Sequence, residues 1–237
     1  MNSDNQLEIE SMMKAANELM DHLQYHEASM ILRPLVHGLR KSENKNLFLS
    51  VLFNFGVCLI ELGQFSDAKT YLQEGLEISK KISDLAGIGA FLHELSIAAH
   101  KEGEINEAIA LSEETVILKF SIKNEDSRAL NQLAILYQET GQLEKAYEVL
   151  EISKALSERS FALVDLGAAL NELGIVSFAL GNYVDGVRHF VESINIKRAR
   201  NDSRGIELTL RNLRYCLQNN PEAESLTEVR YLLGDRE

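Results

Sequence analysis

Histidine and cysteine are the residue types here with the clearest potential for chemistry, and the sequence contains six of the first and two of the second. His22 and His26 are four positions apart, but a turn between two helices is expected there and no third ligand lies nearby, so we predict no metal site. His93 and His100 are seven positions apart and could share one face of a helix. That spacing is compatible with a pH-sensitive contact or with a plain pair of surface side chains.

The two cysteines and the known catalytic motifs give no indication of catalysis. Cys58 and Cys216 form no CxxC pair and are expected to lie far apart in a stack of helices, so we predict two free, buried thiols. The sequence contains no P-loop, no glycine-rich dinucleotide loop, no HExxH motif and no G-x-S-x-G motif. We therefore predict a protein that is not an enzyme and that needs no cofactor and no metal.

Composition and charge narrow the class of protein further. With 45% hydrophobic residues and only two prolines among 237 residues, the chain is expected to bury a core built from long helices. Its net charge of −12 disfavours binding to nucleic acid or to an anionic membrane surface. The longest uncharged run, residues 46–60, has 15 residues, which is shorter than the roughly 20 that a bilayer span needs. We expect a soluble, cytoplasmic protein.

Internal self-similarity is the strongest feature of the sequence. Five segments recur at spacings of 40, 40, 38 and 40 residues, each with an apolar or aromatic residue in its third position. Their first residue is glycine in all copies but the first, and their sixth is alanine in all but the last. A fixed period of this size is typical of a solenoid. The segments are residues 23–28, 63–68, 103–108, 141–146 and 181–186.

Each glycine of the repeat is expected just past a helix, in the left-handed conformation that glycine adopts at little cost. Amphipathic stretches precede and follow it, so each repeat is predicted to be a helical hairpin, helix A followed by helix B. A weaker sixth repeat has helix A around residues 205–218 and helix B around residues 222–233. The predicted fold is all-α, a solenoid of about six hairpins forming one domain over residues 1–237. The repeats span approximately residues 7–42, 46–82, 86–122, 126–160, 164–200 and 204–233.

With these residues in these positions, the sequence resembles the tetratricopeptide repeat (TPR) family. Helix A of that family carries L-x-x-L-[GA]-x-x-[YL], matched here by Leu130, Leu133, Ala134 and Tyr137, and G-x-[YF]-x-x-A follows it. The period of 38–40 residues and the missing closing proline resemble the long-repeat branch of kinesin light chains, LGN/Pins spindle adaptors and bacterial Rap-type regulators. HEAT and armadillo repeats share the period but lack the glycine turn.

The resemblance implies a right-handed αα-superhelix, whose A helices line a concave groove that holds a peptide or a segment of a partner protein. Carried over position by position, it places an apolar column of Val57, Ile97, Ile135 and Ile175 in the groove. The further residues that it implies for partner binding are Asn54, His93, Asn131, Gln132, Asn171, Phe178, Arg211 and Asn212.

The amides among these residues suit an extended peptide, because an amide side chain can donate and accept hydrogen bonds at once. Asn131 and Asn171 occupy the same place in consecutive repeats, so we expect both to be exposed before binding and to contact one peptide backbone. The alternative is that these amides are merely solvated and that the aliphatic column packs between adjacent A helices.

Charge is unevenly distributed along the chain. Residues 188–214 contain seven basic and three acidic residues, a net charge of +4, whereas the rest of the chain carries −16. Such a basic segment could hold a carboxylate or a phosphate, or its cations could simply lie near helix C-termini.

These features predict a non-catalytic interaction module that binds a protein or peptide partner in its groove. One alternative is a self-assembling scaffold, in which the acidic N-terminal repeat of one molecule meets the basic C-terminal repeat of the next. Another is a peptide-sensing regulator of the Rap kind.

Overall fold

The amphipathic stretches of the sequence all form helices. The computed structural model describes residues 3–123 and 127–225, and within these ranges there are eleven α-helices, one 3-10 helix over Pro221–Ser225 and no strand. The α-helices are α1 Ser3–Asp21, α2 Tyr25–Leu39, α3 Lys45–Glu61, α4 Phe65–Lys81, α5 Leu85–Glu102, α6 Ile105–Ser121, α7 Ser127–Glu139, α8 Leu143–Ser160, α9 Leu163–Ala179, α10 Tyr183–Ala199 and α11 Ser203–Asn219.

The odd-numbered helices are the A helices of the repeats and the even-numbered ones are the B helices. Each pair forms a hairpin, so the prediction of an all-α solenoid of helical hairpins is confirmed. The predicted second helix of the sixth repeat, around residues 222–233, lies mostly outside the described residues. Its first residues belong to the 3-10 helix that Pro221 begins.

The chain divides into two compact parts, an N-terminal half (Met1–Lys123) and a C-terminal half (Asn124–Glu237). The prediction of a single domain over residues 1–237 stays a prediction.

The N-terminal half contains helices α1 to α6, each packed against the next. Ala28 and Ala68, the small residues of the repeated motif, are completely buried, which lets A and B helices approach closely. Large side chains fill the remaining space, among them Phe48 and Phe55, both almost inaccessible to solvent. This core runs continuously from α1 to α5.

The C-terminal half contains α7 to α11. A small, buried residue of the repeated motif again lies where an A helix and a B helix meet, but it is not alanine in every repeat. Ala146 is completely buried in the fourth repeat, but the fifth repeat has Gly186 at this position. A Cβ atom on Gly186 would lie 2.5 Å from Cδ2 of Phe178. The phenyl ring of Phe178 therefore occupies the space that the alanine methyl group fills in the other repeats.

The turn between helix A and helix B requires a left-handed residue. Gly63, Gly103, Gly141 and Gly181 have φ values of 74°, 91°, 73° and 80°, as the sequence predicted. Backbone hydrogen bonds close each turn, as in the 2.8 Å bond that Gln142 N donates to Tyr137 O. The turn between helix B and the next helix A is also left-handed, at Ser83, Lys123, Phe161 and Asn201, where φ lies at 56–57°.

Within each half, neighbouring A helices pack against each other, whereas among the described helices the neighbouring B helices do not pack closely. A stack with close A helices and separated B helices curves towards the A side. The surface that the A helices present away from the B helices is therefore the concave side of each half, and we call it the A-face.

Candidate partner-binding surface

Two asparagines of consecutive A helices meet on the A-face of the N-terminal half. Asn54 Nδ2, on α3, donates a hydrogen bond of 2.7 Å to Asn17 Oδ1, on α1. Both side chains are accessible to solvent. Asn54 Oδ1 and Asn17 Nδ2 make no hydrogen bond to the described residues, so this pair retains one acceptor and one donor for another molecule.

An apolar slot lies beside this pair, between α3 and α5. It has a volume of about 320 Å³, and its apolar lining includes Leu49, Phe53, Ala90 and Phe91. The rings of Phe53 and Phe91 meet edge to face, with centroids 5.8 Å apart. Phe91 is buried and lies against Gly75 of α4, where a side chain would collide with its ring. The floor of the slot is therefore fixed by packing.

In the C-terminal half, Asn131 of α7 is half-buried on the A-face. Its Oδ1 accepts a hydrogen bond of 2.6 Å from Ser153 Oγ, a buried hydroxyl of α8. Its Nδ2 makes no hydrogen bond to the described residues. Asn131 is thus oriented by the B helix of its own repeat and presents a donor on the A-face.

Three further amides of this half form a chain of hydrogen bonds across three A helices. Asn212 Nδ2 donates to Asn171 Oδ1 at 3.1 Å, and Asn171 Nδ2 donates to Glu172 Oε1 at 2.9 Å. The carboxylate of Glu172 also accepts from Gln138 Nε2 at 3.4 Å. This chain links α7, α9 and α11, and its outer members, Gln138 and Asn212, are partly accessible to solvent.

Two residues lie deeper than the sequence predicted. Asn171 is only 3% exposed and its amide is engaged on both sides, so the expectation of an exposed Asn171 is not met. Phe178 is also 3% exposed, because it packs on Tyr183 and Phe190 in the space beside Gly186. The signal that could have revealed this burial is the glycine that replaces alanine at position 186.

Electrostatics inside the C-terminal half favour neutral side chains. Burial raises the pKa of the Glu172 carboxyl above its usual range, although the hydrogen bonds from Asn171 and Gln138 oppose the shift. Burial lowers the pKa of Lys197, whose Nζ donates to Thr209 Oγ1 at 2.6 Å. The opposite charges of Glu172 and Lys197 attract and partly offset both shifts.

The two predicted groove residues His93 and Gln132 lie half-buried on α5 and α7, and each interacts with a neighbouring residue. The thiols of Cys58 and Cys216 are free and buried, and burial raises the pKa of each to about 11. In the described parts of the chain, no three His, Cys, Asp or Glu side chains are grouped so that they could hold a metal ion. None of the described helices is long and apolar enough to cross a membrane.

Three arginines of the basic segment lie on α11, and the others lie on α10 or directly after it. Arg204, Arg211 and Arg214 are exposed and form no ion pair with the described residues. They line a hollow of about 620 Å³ together with Glu207 and Leu208. Arg211, one of the predicted site residues, is therefore accessible to a partner, whereas Asn212 beside it is tied to Asn171.

Comparison with known proteins shows which repeat this is. The tetratricopeptide repeat model matches residues 49–82 and 127–157, so the chain contains tetratricopeptide repeats, as its sequence predicted. No curated protein matches the chain.

Several solved structures share the fold. The nearly identical TPR-like repeats of a kinesin light chain from Podosopora anserina are 22% identical over 86% of this chain and 100% of that chain, with a TM-score of 0.66. BtubC (BKLC) from P. vanneervenii is 12% identical over 96% of this chain and 89% of that chain, with a TM-score of 0.71. A Rap protein complexed with Competence and Sporulation Factor is 15% identical over 94% of this chain and 67% of that chain, with a TM-score of 0.67.

The repeats and the fold define a class of protein. TPR-type repeats build protein–protein interaction modules, which are generally non-catalytic. The two matched segments of this chain are repeats of that type.

Proposed function

We propose that the A-face binds an extended segment of a partner protein, and that side-chain amides pair with the backbone of that segment. A short peptide is the simplest such partner. The observation that carries this proposal is the pair Asn17 and Asn54, which join consecutive A helices and keep one acceptor and one donor free. Such groups at the repeat spacing can follow an extended chain from helix to helix.

The predicted amides differ in whether they have a polar atom available to a partner, so we assign them different roles. Asn54 and Asn131 each have one polar atom that makes no hydrogen bond to the described residues, so we assign both to direct contact with the partner. Asn171 is buried and hydrogen-bonded, so we assign it to holding Asn212 and Glu172 in place. Phe178 is buried in the core, so we do not include it in the proposed binding surface.

The proposal is tested by exposing the full chain to a fluorescent pool of random decapeptides. The peptides that the chain retains are sequenced and resynthesised. Binding of each retained peptide is then compared for wild type, Asn54→Ala in the N-terminal half and Asn131→Ala in the C-terminal half, and at least one of the two variants should bind it more weakly. An amide lost from a contact leaves a peptide group unpaired and costs roughly 1–3 kcal/mol of binding, which is about fivefold to 150-fold in affinity. Gln73→Ala and Asn195→Ala, exposed amides of B helices α4 and α10, serve as matched controls. Equal weakening by the B-helix variants would contradict the proposal.

Head-to-tail self-association is a second candidate function, favoured by the distribution of charge. The arginines of α11 are exposed without ion pairs to the described residues, whereas α1 carries Glu8, Glu10 and Glu18 against Lys14. Light scattering at low and high salt tests it, because screening weakens contacts between exposed charges. A mass that equals the monomer at all concentrations and both salt levels would exclude this function.

We propose a reducing, cytoplasmic compartment, because both cysteines are free and buried. Nucleic acid is not a proposed partner, since the net charge of −12 opposes contact with phosphates.

A further inference from the structure

The apolar slot between α3 and α5 adjoins a second hollow on the same A-face. This hollow, of about 680 Å³, lies between α1 and α3 and shares Ser50 and Asn54 with the slot. The two hollows form one continuous surface of the N-terminal half, which we call the slot-and-rim surface.

The slot has the dimensions and lining for one bulky apolar side chain. Its volume of about 320 Å³ is at the lower end of ligand pockets. Leu49 and Phe91 form a buried floor, and the half-buried Phe53 forms one wall. Asn46 and Ser50 are polar and exposed at the margin, so a partner backbone above the slot would remain hydrated or hydrogen-bonded.

The adjoining rim is negatively charged. Glu10, Glu18 and Asp21 line it against the single cation Lys14, whose Nζ lies 3.9 Å from the Glu18 carboxylate in an exposed pair. Asp21 is the last residue of α1, and the last turn of this helix contains no basic residue. The negative end of the helix dipole therefore adds to the charge of the carboxylates.

The same rim has apolar parts that suit long cationic side chains. Met13 and Leu47 line it beside the carboxylates. Lysine and arginine bury their methylene groups on such surfaces while their charged ends reach carboxylates. Charge and shape together therefore specify a cationic occupant next to an apolar one.

We propose that the slot-and-rim surface selects a partner segment in which one aromatic or leucine side chain is flanked by lysine or arginine. The apolar side chain enters the slot between α3 and α5, and the basic side chains lie over the carboxylates of α1. The inference rests on the proposed function of the A-face and adds the chemistry of the partner to it.

The test uses the full chain and three synthetic decapeptide pools of equal length. The first pool has a central Phe, Tyr or Leu flanked by Lys and Arg, the second replaces the central residue by Ala, and the third replaces the flanks by Glu. Fluorescence anisotropy should show the first pool binding about tenfold or more tightly than either of the others. Its affinity should fall as salt is raised, because the rim and the peptide charges are exposed.

Two pairs of variants locate the binding. Ala90→Phe fills the slot and should weaken binding of the first pool about tenfold, whereas Ala86→Phe adds the same ring at an exposed position of α5 outside the slot. Glu18→Lys should weaken the first pool and strengthen the third. Its control is Glu77→Lys on α4, because Glu77 also forms one loose pair with a lysine of its own helix, at 3.7 Å.

The possible failures are distinguishable. If the wild-type chain binds none of the three pools and retains no random peptide, the proposed function and this inference both fail. If it binds peptides without preference for the first pool, or if Ala90→Phe and Glu18→Lys bind that pool as wild type does, only this inference fails. If the chain alone forms larger species that Glu18→Lys abolishes, the occupant is α11 of a second copy and a separate partner segment is excluded.

Discussion

Asn212 on α11 donates its side-chain N–H to Asn171 on α9, and this 3.1 Å bond joins two residues that are 41 positions apart. Asn171 in turn donates its side-chain N–H to the Glu172 carboxylate at 2.9 Å. The A helices of the last two repeats are thus tied together by amides that occupy the predicted peptide-binding positions. In the C-terminal half, part of the amide series stabilises the stack itself.

Asn171→Ala is therefore expected to destabilise the fold. It removes the acceptor for Asn212 and a donor to Glu172, whose carboxylate is largely buried. Leaving such groups unpaired costs roughly 1–3 kcal/mol. Urea denaturation should show the loss in the free energy of unfolding, whereas Asn195→Ala, on the exposed side of α10, should change it by less than about 0.5 kcal/mol. Equal stability of the two variants would mean that the amide chain contributes nothing.

Gly141→Val, and likewise Gly141→Ala, should cost about 1–3 kcal/mol because each puts a side chain on a left-handed residue. Gly141 has φ 73°, and no atom lies within 4 Å of the position a Cβ would take, so the cost comes from the backbone alone. Gly38, inside α2, has equally open surroundings without a positive φ. Gly38→Ala should therefore raise stability by up to about 1 kcal/mol. Thermal melting compares the Gly141 variants with Gly38→Ala. Equal changes in melting temperature would show that the left-handed conformation of Gly141 does not cause the loss of stability.

Gly186→Ala restores the alanine of the repeat motif and is nevertheless expected to destabilise the fold. Its Cβ would meet the ring of Phe178 at 2.5 Å and Gly174 O at 3.2 Å, and overpacking of this kind typically costs 1–3 kcal/mol. Phe178→Leu frees part of this space. The double variant should therefore lose less stability than the two single losses added together. Strict additivity in urea denaturation would show that the two residues do not compete for space.

The left-handed turn at Gly141 could be predicted from the sequence, whereas the burial of Phe178 could not. The glycine turns and the helix pairs follow from local rules, because a left-handed turn favours glycine and an amphipathic period defines a helix. The left-handed turns at Ser83 and Phe161 carry no glycine and gave no such signal. Local backbone hydrogen bonds close them, from Asp84 N to Ser79 O and from Ala162 N to Ser157 O, each at 2.9 Å.

The candidate site was less predictable than the fold for a related reason. The burial of Phe178 depends on the missing methyl group at position 186, and the burial of Asn171 depends on how closely α9 and α11 approach. Both are properties of packing between helices, which position within one repeat does not determine. The slot between α3 and α5 arises in the same way, since Phe53 and Phe91 meet across two repeats.

Acid is expected to destabilise the C-terminal half through His189. This side chain is 2% exposed, and burial lowers its pKa from 6.5 to about 4, with Lys154 and Arg188 adding to the shift and Asp185 opposing it. The unfolded chain therefore binds the proton first, so stability is full above about pH 6.5 and falls as the pH drops towards 4. The loss should reach about 3 kcal/mol by pH 4.

Urea denaturation from pH 7 to pH 4 measures this effect. His189→Leu should remove this share of the pH dependence, whereas His26→Leu, which replaces an exposed imidazole, should leave it unchanged. If wild type and His189→Leu lose stability in parallel, the buried imidazole is not the source.

Binding of the partner on the A-face is tested most directly by oxidative footprinting of the full chain with a saturating retained peptide. Phe53 and His100 lie on A helices of the N-terminal half, whereas Met30 and Ile117, which are 65% and 70% exposed, lie on its B helices. Mass spectrometry should show that the peptide lowers labelling of Phe53 and His100 and leaves labelling of Met30 and Ile117 unchanged. Protection of Met30 and Ile117 without protection of Phe53 and His100 would contradict binding on the A-face and place the partner on the B helices.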